Sequence, residues 1–240
     1  MTHLWLRAEQ RPNEARTGLT PDGTKALIAK GIRVTVERGS QRAIPMQDYL
    51  DAGAEPADEN SWPDAPRDAI IFGLKARRTG YWVPDHYVAD RVAVAPDKLI
   101  GFASADPTQP GCMDELTHAI EDLGLRGVKI GPMYAGIDPR DDRCRPIYAY
   151  CQARGLPILF HTGTTFNRLA PLRFTRPELV DEVAMDYPEL RMILAHMGHP
   201  FAEECICVIR KHPHVYADVA ALHYRPWQFY NMLMTAQEYR

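Results

Sequence analysis

Short apolar runs rich in β-branched and aromatic residues recur along the chain, with amphipathic stretches between them. The pattern predicts strands at "LWLRAE" (4–9), "IRVTVE" (32–37), "AIIFGLK" (69–75), "KLIGFAS" (98–104), "GVKIGP" (127–132), "PILFHTG" (157–163), "RMILAHMG" (191–198) and "VYADVAA" (215–221). A helix is predicted over "PDGTKALIAKG", with Thr20 as cap, Pro21 at the first helical position and Gly31 as stop. In "CMDELTHAIEDLGLRG", Leu116, Ile120 and Leu123 share one face and Gly124 ends the helix. Another amphipathic helix starts near Asp85. Such alternation belongs to an α/β protein with mainly parallel strands.

The strand runs invite the count of a (β/α)8 barrel, but their spacing is irregular at the front. Residues 50–68 crowd prolines and acids between the second and third runs, and "LKARRTGYWVPDHYV" breaks the register after the third. The organisation expected is a segment 1–76 and a second part 77–240, with a change of architecture at their junction. With 45% hydrophobic and 25% charged residues, the chain has the composition of a globular protein. A net charge of -3, with both signs interspersed, offers no basic patch for nucleic acid and no anchor for an anionic membrane, so a small-molecule substrate is the expected partner. Cys112, Cys144, Cys151, Cys205 and Cys207 lack C-x-x-C spacing, which fits reduced thiols better than a disulfide framework or structural zinc. No leader pattern or bilayer-length apolar run is visible, and a cytoplasmic location is expected by elimination.

Two strand runs end on histidine, His161 in "LPILFHTGTT" and His196 in "RMILAHMGHP". A strand-end imidazole is either a satisfied polar residue bonded to a loop or a group that binds metal and moves protons. The surrounding motifs bear on that choice. From about residue 81 onward, "DKLIGFASADPTQPG", "LGLRGVKIGPMYAGIDPRD", "GLPILFHTGTT", "RPELVDEVAMDYPELRMILAHMGHP" and "RKHPHVYADVAAL" resemble the amidohydrolase-related (amidohydrolase 2) family of metal-dependent hydrolases and decarboxylases. Residues 1–76 resemble a different group. Their "LWLRAE", "EARTGLTPDGTKALIAKG", "VTVERGSQRAIP" and "SWPDAPRDAIIFGLK" are similar to the N-terminal part of saccharopine dehydrogenase and alanine dehydrogenase.

The first resemblance implies a (β/α)8 barrel whose third to seventh strands are present, with His161 ending the fifth and His196 the sixth. It implies a divalent metal, zinc or manganese, with His161 as a ligand and His196 as either a second ligand or the general acid/base. His199 then caps the loop or lines the pocket, Lys129 contacts a substrate anion or forms an ion pair, and Asp218 faces the site or caps the next turn. The H-x-H of His212 and His214 falls in a turn before a strand and reads as solvated. Cys205 and Cys207, in a helical stretch, read as core packing, and Trp227 and Tyr230 as packing or a homo-oligomer contact. The second resemblance implies a dehydrogenase-like substrate site with Arg16 and Lys75, but no G-x-G-x-x-G dinucleotide fingerprint occurs in the chain.

Neither the family's first-strand H-x-H nor its eighth-strand aspartate in a glycine-threonine-aspartate context is found here. The expected fold is therefore a partial (β/α)8 TIM-barrel-like hydrolase fold preceded by a small βαβαβ Rossmann-like segment. The expected activity is metal-assisted hydrolysis or decarboxylation of a small carboxylated substrate, impaired by missing ligands. The alternatives are a non-catalytic hybrid scaffold, arising by fusion or truncation, and an oxidoreductase fragment.

Overall fold

In the computed structural model, which describes residues 3–8, 19–40, 42–61, 69–222 and 226–238, the first helix forms where its capping signal lies. The Thr20 hydroxyl accepts from the Gly23 amide at 3.1 Å and Pro21 opens the helix. The chain divides into two units, Met1–Asp68 and Ala69–Arg240. In the first, β1 (His3–Leu6), α1 (Pro21–Ala29), β2 (Arg33–Glu37), α2 (Met46–Asp51) and β3 (Glu55–Ala57) alternate, and the strands pair in parallel in the order β1-β2-β3. Val34, Val36, Tyr49 and Ala54 are its buried centre. This is the expected βαβαβ segment, but its third strand is Glu55–Ala57 rather than the apolar run at 69–75. A glutamate and a proline in three residues hide β3 from a propensity reading, whereas pairing with β2 supplies the order.

The second unit begins with β4 (Ala69–Phe72), followed by a two-stranded antiparallel ribbon of β5 (Lys75–Ala76) and β6 (Tyr81–Trp82). Then come α3 (Asp85–Val94), β7 (Leu99–Ala105), α4 (Cys112–Glu121), β8 (Val128–Ile130), α5 (Pro132–Ala135), α6 (Arg145–Arg154) and β9 (Ile158–Phe160). The unit ends with α7 (Glu178–Asp186), β10 (Met192–Leu194), α8 (Ala202–Lys211), β11 (Val215–Ala217) and α9 (Pro226–Glu238). Six strands form one parallel sheet in the order β11-β10-β9-β8-β7-β4. Spatial order follows chain order without reversal, which is the winding of a barrel rather than of a doubly wound sheet. The architecture is α/β with a curled, half-barrel sheet.

Alternation along the strands separates two faces. Ala103, Val128, Ile158, Phe160, Met192 and Val215 join the large buried cluster with helix residues such as Leu116, Ile147, Val180 and Cys205. The other face carries Phe102, Leu159 and Ala195, packed with Ile100 and Ile193. Lys129 is in register with Leu159 and therefore projects from that second, interior face. Among the described residues no helix is long and apolar enough to cross a membrane.

Candidate active site

His161 follows β9 directly, and its amide still donates to the Ile130 carbonyl at 2.9 Å, so its side chain keeps the strand's alternation. Two residues beyond Leu159, it lies on the interior face at the C-terminal end of the sheet. His196 lies in the turn Ala195–Gly198, directly after β10. His196 (φ 60°) and Met197 (φ 47°) are both left-handed, a conformation that costs a non-glycine residue roughly 1–2 kcal/mol. Asp218, just past β11, holds this turn. Its Oδ1 accepts the His196 amide at 2.8 Å and the Ala220 amide at 2.9 Å, and its carbonyl accepts the Met197 amide at 2.8 Å.

The two imidazoles meet edge to face, with ring centroids 5.0 Å apart and planes at 71°. Tyr134, from α5, stacks edge-on against His161 at 4.9 Å, and its hydroxyl lies 3.4 Å from His161 Nε2. His161, His196, Tyr134, Thr164, Thr165, His199 and Leu222 are among the residues lining a cavity of about 140 Å³. The loops around it are tied together. Thr162 Oγ1 donates to the Ala195 carbonyl at 2.7 Å, and the Thr164 amide donates to the His199 carbonyl at 2.8 Å.

His196 Nδ1 lies 2.9 Å from the Ala220 carbonyl oxygen. A carbonyl only accepts, so Nδ1 carries the hydrogen and Nε2 of the neutral ring keeps its lone pair. Burial, with help from the charges of Lys129 and His196, pushes the His161 pKa down to about 3, against an opposing hydrogen bond with the Thr164 backbone. His161 is therefore a neutral imidazole at pH 7. Burial also pushes the Lys129 amine down to about 7, and Asp218 opposes that shift. Burial raises the Tyr134 phenol.

Sequence reasoning placed several of these residues in one site, and their positions differ. His161, His196 and His199 line one cavity. His199 also lines a second, of about 200 Å³, beside α8 and α9. Asp218 lies against the His196 backbone. Lys129 is 2% exposed, with Nζ 5.2 Å from the centre of the Phe72 ring, and forms no ion pair among the described residues. Lys75 lines a different cavity of about 230 Å³, where its ammonium reaches Asp85 Oδ2 at 2.6 Å and Glu115 Oε2 at 2.8 Å. Burial opposes the charge on Lys75, but these two carboxylates outweigh it and raise its pKa. Arg16 lies outside the described residues.

His212, in the turn before β11, is not solvated as expected: its side chain is 13% exposed and pairs with Asp181 at 2.7 Å. Cys205 is buried in the core, whereas Cys207 is exposed and does not pack there. Trp227 is 79% exposed and Tyr230 58%, so neither is core packing. Tyr134 was not singled out from the sequence. Its signal was its place, four residues after a strand whose successors end on histidine. The Ala220 carbonyl had none, because a backbone acceptor leaves no mark on residue type.

Among the described residues, no group of three His, Cys, Asp or Glu side chains is placed to hold a metal ion. His161 and His196 offer two imidazoles, while catalytic zinc sites use three protein ligands. Asp218 already spends Oδ1 on two backbone amides. The described residues do not fit a complete metal centre.

The amidohydrolase family model (amidohydrolase 2) matches residues 2–239. A solved structure of an uncharacterized TIM-barrel protein from Bordetella bronchiseptica aligns with TM-score 0.58 and 21% identity, over 90% of this chain and 75% of that one. The 5-carboxyvanillate decarboxylase of Sphingomonas paucimobilis aligns with TM-score 0.50 and 13% identity, over 97% and 85%. At these identities the likeness is one of fold. The NAD(+), L-lysine-forming saccharopine dehydrogenases of Emericella nidulans and Schizosaccharomyces pombe are 52% and 48% identical over 73 residues, 30% of this chain. The chain spans about a fifth of the length of these curated relatives, 20% in each case.

Proposed function

We propose, from the premise that this chain belongs to the amidohydrolase family, that the cavity between the two histidines carries out acid/base chemistry on a small carboxylated substrate. The reaction class is hydrolysis or decarboxylation, and the observation that carries the reading is the pair of strand-end imidazoles 5.0 Å apart over one cavity. His196 is the catalytic acid/base. Its Nδ1 is engaged by a carbonyl, so Nε2 is the reacting atom: with its lone pair free it takes a proton from water in hydrolysis, and in the imidazolium form it gives its proton to the carbon left as the C–C bond breaks and CO2 departs, ending neutral. His161, neutral through burial, offers a hydrogen bond rather than a charge. His199 lines the same cavity. Lys129, on the same interior face as His161, acts on the site through its field.

The family's divalent ion, zinc or manganese, lacks a third ligand among the described residues, so no step is assigned to it and turnover is impaired relative to a complete site. The dehydrogenase-like segment 1–76, with Arg16 and Lys75, is a fused remnant whose sequence carries no G-x-G-x-x-G fingerprint, and the chain works on a small molecule in a reducing, cytoplasmic compartment. Product release from a panel of aromatic and aliphatic carboxylates tests the reading. His196→Ala is expected to lower turnover by about 10²-fold or more. Undiminished turnover in that variant, or no turnover by the parent chain, overturns it.

A further inference from the structure

Asp218 takes no part in the proposed chemistry, yet one of its oxygens does two tasks. Oδ1 accepts the amide of His196, which is left-handed, and also the amide of Ala220, two residues along its own chain. The second contact closes a turn after β11, and that turn presents the Ala220 carbonyl to His196 Nδ1 at 2.9 Å. One carboxylate oxygen thus fixes both ends of the bond that selects the imidazole tautomer. The Asp218 main chain adds two more ties, donating to the Leu194 carbonyl at 3.0 Å and accepting from Met197 at 2.8 Å. Asp218 Oδ1 itself is 3.9 Å from His196 Nδ1, too far for a direct hydrogen bond.

We infer that Asp218 is a positioning residue for His196: by holding the His196 backbone and the Ala220 carbonyl together, it keeps the proton on Nδ1 and the lone pair of Nε2 toward the cavity. The physical reason is that a free imidazole distributes its proton between both nitrogens, and a fixed acceptor at one of them decides the matter. A left-handed pair at His196 and Met197 does not persist unless its surroundings overdetermine it, and these contacts come from a single side chain and its own peptide units. The inference rests on the acid/base reading of His196 only for its catalytic consequence.

The test is nitrogen–proton correlation of the imidazoles in the intact chain at about pH 9, above the ordinary histidine range, with the His196 signals assigned by their loss in His196→Gln. The parent is expected to show His196 as the Nδ1–H tautomer. Asp218→Ala shifts the tautomer ratio toward Nε2–H by about tenfold, the scale set by one net hydrogen bond. Asp218→Asn, which keeps an acceptor oxygen for both amides, restores the parental spectrum. A folded Asp218→Ala chain with the parental tautomer overturns the inference, as does failure of Asp218→Asn to restore it. If Asp218→Ala does not fold, Asp218→Glu displaces the oxygen by one methylene and is read the same way: loss of the Nδ1–H tautomer supports the inference, and its retention overturns it. Absence of turnover in the parent would remove the acid/base reading while leaving the tautomer comparison to decide this one.

Discussion

Lys129 projects its ammonium from the interior face of the sheet, where it is 2% exposed and faces the Phe72 ring. Burial disfavours the charged form, and the amine sits at about 7 when folded against 10.5 for the ordinary value. Between those values the unfolded chain binds more protons than the folded one, so stability rises with pH across that window. The penalty is complete below about pH 7 and is relieved at up to about 1.4 kcal/mol per pH unit above it. Lys129→Met removes the charge and keeps much of the volume. Urea unfolding at pH 7, 8 and 9 is expected to show the variant more stable at pH 7, with a smaller gain on going to pH 9. Parallel pH profiles for variant and parent refute this. The position of Lys129 in a strand was legible in "GVKIG", but its isolation was not: that depends on which side chains the neighbouring strands bring opposite. The same division holds at the histidines. "PILFH" and "ILAH" announce strand-end imidazoles through apolar patterning alone, whereas the edge-to-face approach of the rings depends on two left-handed residues that no propensity favours.

The six strands of the parallel sheet were readable because each falls in an apolar run, well buried from β7 to β10 and largely exposed in β4, and their observed cores lie within the predicted runs. The ribbon β5–β6 was not, because "LKARRTGYW" orders itself through contacts to other elements. Lys75 N donates to Ser104 Oγ, and Arg77 N donates to Asp106 Oδ2, both at 2.8 Å. The loops at the C-terminal ends of β9 and β10 depend on each other in a similar way. Gly163 has φ +82°, and its amide donates to the Thr175 carbonyl at 2.8 Å. A Cβ built there would lie 2.2 Å from the His199 carbonyl oxygen, the atom that accepts the Thr164 amide. Gly163→Ala combines left-handed strain with a backbone clash and is expected to cost more than about 2 kcal/mol. Thermal unfolding checks it, and a loss under about 0.5 kcal/mol would show that the two loops separate without penalty.

At the scale of the molecule, family membership extends across residues 2–239, while among the described residues no three donors are placed for a metal ion. Fold and site draw on different parts of the sequence. The half-barrel needs only alternating apolar strands in the right order, and many residue choices satisfy it. A metal centre needs particular donors at particular strand ends, and one missing donor changes the affinity by orders of magnitude. This asymmetry made the fold class legible from patterning, while the state of the site required asking what stands opposite each histidine. It also points to a direct manipulation. Thr164 lines the same cavity as His161 and His196, so Thr164→Asp adds a carboxylate beside the two imidazoles. The parent chain is expected to take up less than about a tenth of an equivalent of zinc at micromolar concentration, and the variant to bind it at least about tenfold more tightly. Metal analysis after gel filtration, repeated with His161→Ala in the variant background, distinguishes a site at this cavity from adventitious binding. Equal zinc content in parent and variant would mean that the cavity is not limited by its number of ligands. Near-stoichiometric zinc in the parent would instead mean that the two imidazoles suffice, and the impaired-site reading would fall.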